Sequence, residues 1–130
     1  MANDIYTEVL GDLFVYDLQV DFILKKTTII FGVHPEANLK PTHSLTFTDV
    51  IWQEFREFED YNILFDIEVS NSFKEFSDRE KDYLRRMEKY IPSDLLLAIK
   101  KDKNLKYYFI RATKGLGGFV ICKDSIVNNI

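Results

Sequence analysis

Few residues in this chain have the types and spacing that chemistry requires. The two histidines, His34 and His43, flank a loop containing Pro35, Asn38 and Pro41, and with Asp49 or Cys122 they would supply zinc donors by residue type. Their spacing fits no usual ligand pattern, and either imidazole, taken as a general base, lacks a nucleophile motif to serve. The single cysteine cannot close an internal disulfide, and Phe119-Val120-Ile121-Cys122 is the setting of a buried, reduced thiol. Gly115-Leu116-Gly117-Gly118 lacks the Gly-Lys-Ser/Thr ending of a phosphate loop and precedes no helical pattern, which makes it a turn. Arg85 and Arg86, with Lys81 and Lys89, alternate with Asp78, Glu80, Asp82 and Glu88 at spacings that suit pairs along one solvated helix face. No catalytic, metal-binding or cofactor-binding residue is assigned, and the expectation is a protein that is not an enzyme.

The segment with more to offer is Trp52-Gln53-Glu54-Phe55-Arg56-Glu57-Phe58-Glu59-Asp60-Tyr61, four carboxylates against one arginine among four aromatics. A connecting turn with Phe55 and Phe58 packed inward is one reading. The other is a docking surface, because aromatics anchor interfaces while carboxylates steer a basic partner and speed its capture. Trp52, Glu54, Glu57, Glu59 and Asp60 are its candidate contact residues. Asp17, Asp21, Asp66 and Glu68, on the wet faces of expected strands, would extend the field if those strands are neighbours.

Those residues must be carried by one domain, since 130 residues with 46% hydrophobic and 15% aromatic content can bury a real core and leave no room for two. Composition excludes intrinsic disorder, and the absence of a long apolar run excludes a spanning helix. Residues 1–77 hold 14 acidic and 5 basic side chains, whereas residues 78–130 hold 7 and 12. The overall charge of −4 would repel phosphate, so no nucleic acid partner is expected, and the acidic half suits a basic protein. Met1-Ala2-Asn3-Asp4 has no basic stretch and Asp12 and Asp17 interrupt the apolar residues, so no targeting signal, no membrane partner and a cytoplasmic location are expected.

Asn3 to Leu10 has the cap, spacing and Gly11 stop of a short helix. Phe14, Tyr16, Leu18, Val20, Phe22 and Leu24 alternate with polar residues as a strand, Lys25-Lys26 breaks it, and Thr27 to Val33 returns as a hairpin. Leu45, Phe47 and Ile51 mark a third strand, and Ile63, Phe65, Ile67 and Val69 a fourth. Ser77-x-x-Glu80 has capping-box spacing ahead of a helix at about 78–91, ended by Pro92. Residues 93–100 read as a strand of a hairpin around Lys101 to Asn104 or as helix, Leu105 to Ala112 as strand, and Phe119 to Cys122 as the last strand, with Ile126-Val127 continuing it after a bend. The fold expected is α+β: a curved antiparallel sheet or open barrel of six to seven strands, with a short N-terminal helix and one longer helix.

Leu45-Thr46-Phe47-Thr48-Asp49-Val50, a variable stretch, Tyr61-Asn62-Ile63-Leu64-Phe65-Asp66-Ile67 and the late Gly-Gly-Phe-Val-Ile-Cys strand together resemble the small bacterial immunity proteins encoded beside polymorphic toxins. The similarity spans roughly residues 13–124, with Phe-x-Asp-Val and Asn-Ile-Leu as its motifs. It implies a non-enzymatic antitoxin of the contact-dependent kind that binds and blocks a cognate toxin domain in the cell's own cytoplasm. With the acidic first half, the expected partner is a basic toxin, a nuclease being the fitting class, bound by a monomer or weak dimer with no cofactor. The alternative is an interaction module or subunit of an uncharacterised assembly that uses a sheet edge or aromatic patch rather than charge. A small hydrolase built on His34 or His43 is the third reading.

Overall fold

A computed structural model describes residues 3–4, 13–32 and 41–130 of the chain. Nine strands and three helices follow in the order β1 (Asn3–Asp4), β2 (Leu13–Asp21), β3 (Lys26–Gly32), β4 (Pro41–Thr48), β5 (Trp52–Arg56), β6 (Asn62–Ser70), α1 (Phe73–Arg79), α2 (Lys81–Met87), α3 (Ser93–Lys101), β7 (Lys106–Lys114), β8 (Gly117–Cys122) and β9 (Asp124–Asn129). The strands form one sheet in the order β5-β8-β7-β6-β2-β3-β4-β9, with β1 added against β6. Every ladder is antiparallel.

The two ends of this sheet are made from one ribbon. β4 pairs with β9 as far as Thr48 opposite Asp124, and β5 pairs with β8 from Trp52 opposite Ile121. Three residues separate the halves on one strand and two on the other, so the ribbon turns a bulged corner rather than ending. Asp49 sits at φ 55 in that corner. A left-handed backbone is tolerated by Asp and Asn better than by other side chains. The Lys123 amide donates to the Thr48 carbonyl at 3.2 Å, and the Ile51 amide to the Ile121 carbonyl at 2.9 Å. The sheet therefore curls until its end strands meet at the corner, and among the described residues no ladder closes it.

Curling divides the apolar residues between two cores. The concave side collects Leu13, Ile29, Phe31, Leu45, Phe47, Leu64, Ile67, Tyr108, Ile110, Val120 and Cys122. The convex side of β7 and β8 presents Tyr107, Phe109, Phe119 and Ile121 to the helices, which return Phe76, Tyr83 and Ile99. Both faces of β7 and β8 are thus buried, which is why 107–110 and 119–122 are continuous apolar runs instead of alternating ones. Burial pushes the Cys122 thiol up to about 12, so it stays protonated at neutral pH.

The α+β class and the curved antiparallel sheet are as expected, while the counts are not: nine strands and three helices among the described residues, against six to seven and two. Asn3–Asp4 pairs with Val69 and Glu68 as strand, where a helix start was expected. The remainder of that expected helix lies outside the described residues. Ser77 is inside α1 and caps nothing. The cap is Ser72, extended at φ −106, whose hydroxyl accepts from the Glu75 amide at 3.1 Å. The chain also breaks between α1 and α2 at Glu80 instead of running as one helix over 78–91. Residues 93–100 are helical, so no hairpin surrounds 101–104; the Asp102 carboxylate there accepts from the Asn104 amide at 2.9 Å.

Gly118 lies at φ +146, and a Cβ there would be 1.9 Å from the Glu54 carbonyl oxygen, inside the β5–β8 ladder. Gly118→Ala is expected to lower unfolding stability by about 3 kcal/mol or more, among the largest single-residue effects. Gly117→Ala meets only the Ile110 carbonyl at 3.4 Å, and should cost about 1 kcal/mol or less. Urea denaturation midpoints of the two variants check both.

Candidate functional site

The acidic and aromatic segment is half strand and half loop. Trp52–Arg56 is β5, an edge strand rather than a turn, and it sends Trp52 under the helices against Phe76, Tyr83 and Phe119 at ring distances of 6.2, 5.8 and 5.7 Å. Trp52 is thus a half-buried member of the second core and not an exposed anchor. Glu54 is half-buried beside Tyr83, whose phenol is pushed above its ordinary value by burial and then by the Glu54 charge. Glu57, Phe58, Glu59, Asp60 and Tyr61 are the exposed residues, and they form the β5–β6 loop.

One side chain holds that loop in place. The Asn62 amide oxygen accepts from the Glu59 amide at 3.1 Å and from the Leu116 amide at 2.9 Å, while its nitrogen donates to the Glu59 carbonyl at 3.3 Å. Asn62 therefore joins the β5–β6 loop to the β7–β8 turn. Gly115, at φ +78, leaves room for it, since a Cβ there would lie 2.1 Å from the Asn62 oxygen. Lys114 completes the fastening: its ammonium lies 3.6 Å from the centre of the Tyr61 ring and 3.3 Å from Asp60. Lys114 and the Tyr61 amide hold the Asp60 carboxyl below its usual value.

β2 brings Asp17 to this loop. A bulge between Val15 and Asp17 shifts the strand's phase, so Val15 and Leu18 both pack toward the concave core, although they are three residues apart. Phe14 and Tyr16 turn to the other side, where Phe14 stacks on Tyr61 at 6.1 Å and meets Tyr16 edge-on at 5.2 Å. Tyr16, Asp17, Leu18 and Phe58 then line one shallow cleft with Asn62 and Leu116. From Asp17 the exposed residues Gln19 and Asp21 continue along the same outer face to the end of the hairpin.

At that end lies a feature the alternating pattern concealed. Phe22, Ile23 and Leu24 form the tip of the β2–β3 hairpin and are 82%, 88% and 61% exposed. The Asp21 carboxylate accepts from the Ile23 and Leu24 amides at 3.0 and 2.9 Å, and the Lys25 carbonyl accepts from Val50 at 2.9 Å. Thr27 donates to Gln53 at 2.6 Å across the same junction. The tip is thus a fixed apolar prong. Asp21 serves as its cap and is not simply a surface charge. The sequence signal for it was three consecutive apolar residues before two lysines, which ends a wet-faced strand instead of prolonging it.

Asp66 and Glu68 do not join this surface. They are 4% and 8% exposed on β6 and are paired with arginines. Arg111 meets Asp66 at 3.0 Å and also bonds Glu68, and Arg79 of α1 meets Glu68 at 2.6 Å while lying 4.3 Å over the Phe109 ring. The alternation that read as a wet face is an ion network in which buried carboxylates of the sheet meet partly exposed arginines of β7 and the first helix. Burial alone would raise the Glu68 pKa, but the hydrogen bonds from Arg79 and Arg111 outweigh it and hold the carboxyl below its ordinary value.

His43 lies on β4 with its Nδ1 2.7 Å from the Thr42 hydroxyl and its ring stacked on Phe31 at 5.7 Å. His34 is outside the described residues. Among the described residues no group of three or more His, Cys, Asp or Glu is placed to hold a metal ion, and no helix is long and apolar enough to cross a membrane. Comparison with protein-family models, curated proteins and solved structures returned no match.

Asn62→Ala removes the acceptor that two loop amides share and is expected to cost about 1–2 kcal/mol in thermal melts, whereas Asn62→Asp keeps that acceptor but turns an oxygen toward the Glu59 carbonyl in place of the donor, and should recover only part of the loss. The Glu68 shift has a sign that melts can also read. A carboxyl lowered in the folded state stabilises above its unfolded pKa and loses that stabilisation as pH falls through the folded value. The melting temperature should therefore drop on acidification through and below the ordinary carboxylate range. Glu68→Gln should be less stable at neutral pH and show a shallower acid limb.

Proposed function

We propose that this chain is an immunity-type inhibitor that binds and neutralises a cognate basic toxin domain, a nuclease being the fitting class, by covering its active site. The observation that carries the reading is the continuity of charge and apolar surface along one side of β2. Glu57, Glu59, Asp60 and Asp17 are exposed around the Asn62-clamped loop, and the same strand leads to the Phe22-Ile23-Leu24 prong. Lys114 offsets part of this negative charge and leaves an excess of carboxylates. Carboxylates at a rim accelerate encounter with a basic partner, while fixed apolar side chains supply the desolvated contact that slows release. The division of labour suits occlusion of a phosphate-binding cleft, whose basic rim is attracted and whose floor receives the prong. Trp52, Asp66 and Glu68 take no part in this contact, and the resemblance to immunity proteins supports the class of partner.

A second reading follows from the prong alone. An interaction module anchored by Phe22, Ile23 and Leu24 would bind without steering, and its association would be insensitive to salt.

Both readings are separated by capture from a lysate of the source organism with the tagged full chain at low salt, followed by a wash at about 0.5 M salt, well above the ~0.1 M at which the Debye length is about 10 Å. The immunity reading expects a basic protein that is released by the wash, that arrests growth when expressed alone, and that is silenced by co-expression of this chain. Glu57→Lys with Glu59→Lys should slow association about tenfold or more at low salt while leaving the fold intact. An unchanged rate removes the loop from the contact. Salt-independent capture that is lost with Phe22→Ser, Ile23→Ser and Leu24→Ser together transfers the conclusion to the second reading.

A further inference from the structure

The sheet has two edges, and they are treated differently. β5, at one edge, carries Glu54 and Arg56, the latter bound to Glu80 at 2.7 Å beside the helices. β9, at the other, carries one charge, Asp124, at its start and no proline, glycine or lysine from there to residue 130. Among the described residues β9 has a backbone ladder along one side only, to β4, while from β7 the Lys106 ammonium reaches Asp124 at 3.4 Å and the Tyr108 hydroxyl reaches Ser125 at 2.9 Å. Ile126, Val127 and Ile130 are 51%, 42% and 70% exposed. Asp124 guards only the start of the strand, where it caps the Ser125 amide; beyond it the edge carries no charge and no proline, and an edge of that kind is a template for another strand.

Which backbone groups it offers follows from the ladder. The Ile130 amide donates to the Thr42 carbonyl at 2.9 Å, and the register runs unbroken from Asn129 opposite His43 to Asp124 opposite Thr48. In an antiparallel ladder alternate residues bond the neighbour, so Asn128, Ile126 and Asp124 share the phase of Ile130, and Ser125, Val127 and Asn129 turn their N–H and C=O groups outward, the Ser125 amide donating there to the Asp124 carboxylate at 2.8 Å. These three are symmetric about Val127.

We propose that β9 is a homodimer edge: two copies of this chain join antiparallel through it, about a two-fold axis at Val127, into one continuous sheet. Val127 then exchanges both bonds with its counterpart and each Asn129 amide donates to the Ser125 carbonyl of the other copy, about four main-chain hydrogen bonds in all, the Ser125 amide staying with its own Asp124. The Val127 side chains meet at the axis, and the Ile126 side chains lie diagonally across it on the opposite face, about 7–8 Å apart. Asp124 faces the uncharged Ile130, so no like charges oppose. A neutral edge has nothing to select the basic partner proposed above, so the second copy is the occupant that charge favours. This dimer is independent of the docking surface, which lies around β2.

Sedimentation velocity of the purified chain across the micromolar range tests it. Val127→Pro deletes the outward donor at the axis and leaves the β4 ladder whole, since that amide takes no part in it; Val127→Lys places like charges at the axis. The wild type should shift from monomer to dimer with concentration, and each variant should weaken dimerisation about tenfold or more, with circular dichroism and melting temperature near the wild type. A wild type that stays monomeric throughout overturns the proposal, because the edge then stays free or serves a different strand. A dimer that persists in Val127→Lys overturns it too, by locating the contact elsewhere; this variant decides if Val127→Pro fails to fold.

Discussion

The ribbon formed by β4 and β5 against β9 and β8 carries the architecture, because its corner at residues 48–52 and 121–124 makes one pair of strands serve both ends of the sheet. A flat sheet of this order would leave Phe47, Val120 and Cys122 far apart. Bent at Asp49, it brings them into one core, all fully buried. The same corner fixes the hairpin tip, through Val50 bonded to Lys25 and Thr27 bonded to Gln53. A local backbone requirement at one aspartate thus reaches a surface feature that depends on rigidity, since an apolar prong loses less entropy on binding when it is already ordered.

Electrostatics acts at two levels. The acidic first half and basic second half compensate each other within the molecule: Arg79 and Arg111 take Asp66 and Glu68, and Lys114 takes Asp60. Some of the lopsided charge therefore serves to dock the first helix on the sheet, where the desolvation of the carboxylates is offset by paired guanidinium groups. Among the described residues, most exposed carboxylates of the first half gather at the β5–β6 loop and along β2. These carboxylates, not the net charge of the chain, define the field that a partner would meet.

Period-two alternation made β2, β4 and β6 legible, β-branched and aromatic content after Lys25-Lys26 did so for β3, and the turn chemistry of Lys114 to Gly118 was legible too. The places that misled share a cause: a local pattern was continued past a point where tertiary contacts interrupt it. Tyr16 sits at a bulge, so Phe14 and Leu18 face opposite ways. Ser77-x-x-Glu80 and Ser72-x-x-Glu75 have identical spacing, and only the packing of Phe73 and Phe76 against Tyr107 selects the second. Asp66 and Glu68 alternate like surface residues because their arginine partners lie 11 and more positions away. The Phe-x-Asp-Val and Asn-Ile-Leu motifs mark the corner at Asp49 and the clamp at Asn62, positions that build the candidate surface without forming its contacts.

Hydrogen–deuterium exchange of the chain, alone and with the protein it captures, tests the docking surface most directly. Slowed exchange is expected at residues 17–24 and 57–61 in the complex, with α1, α2 and α3 unchanged. Protection confined to the helices, with the hairpin tip and the Asn62-clamped loop exchanging as in the free chain, would contradict it.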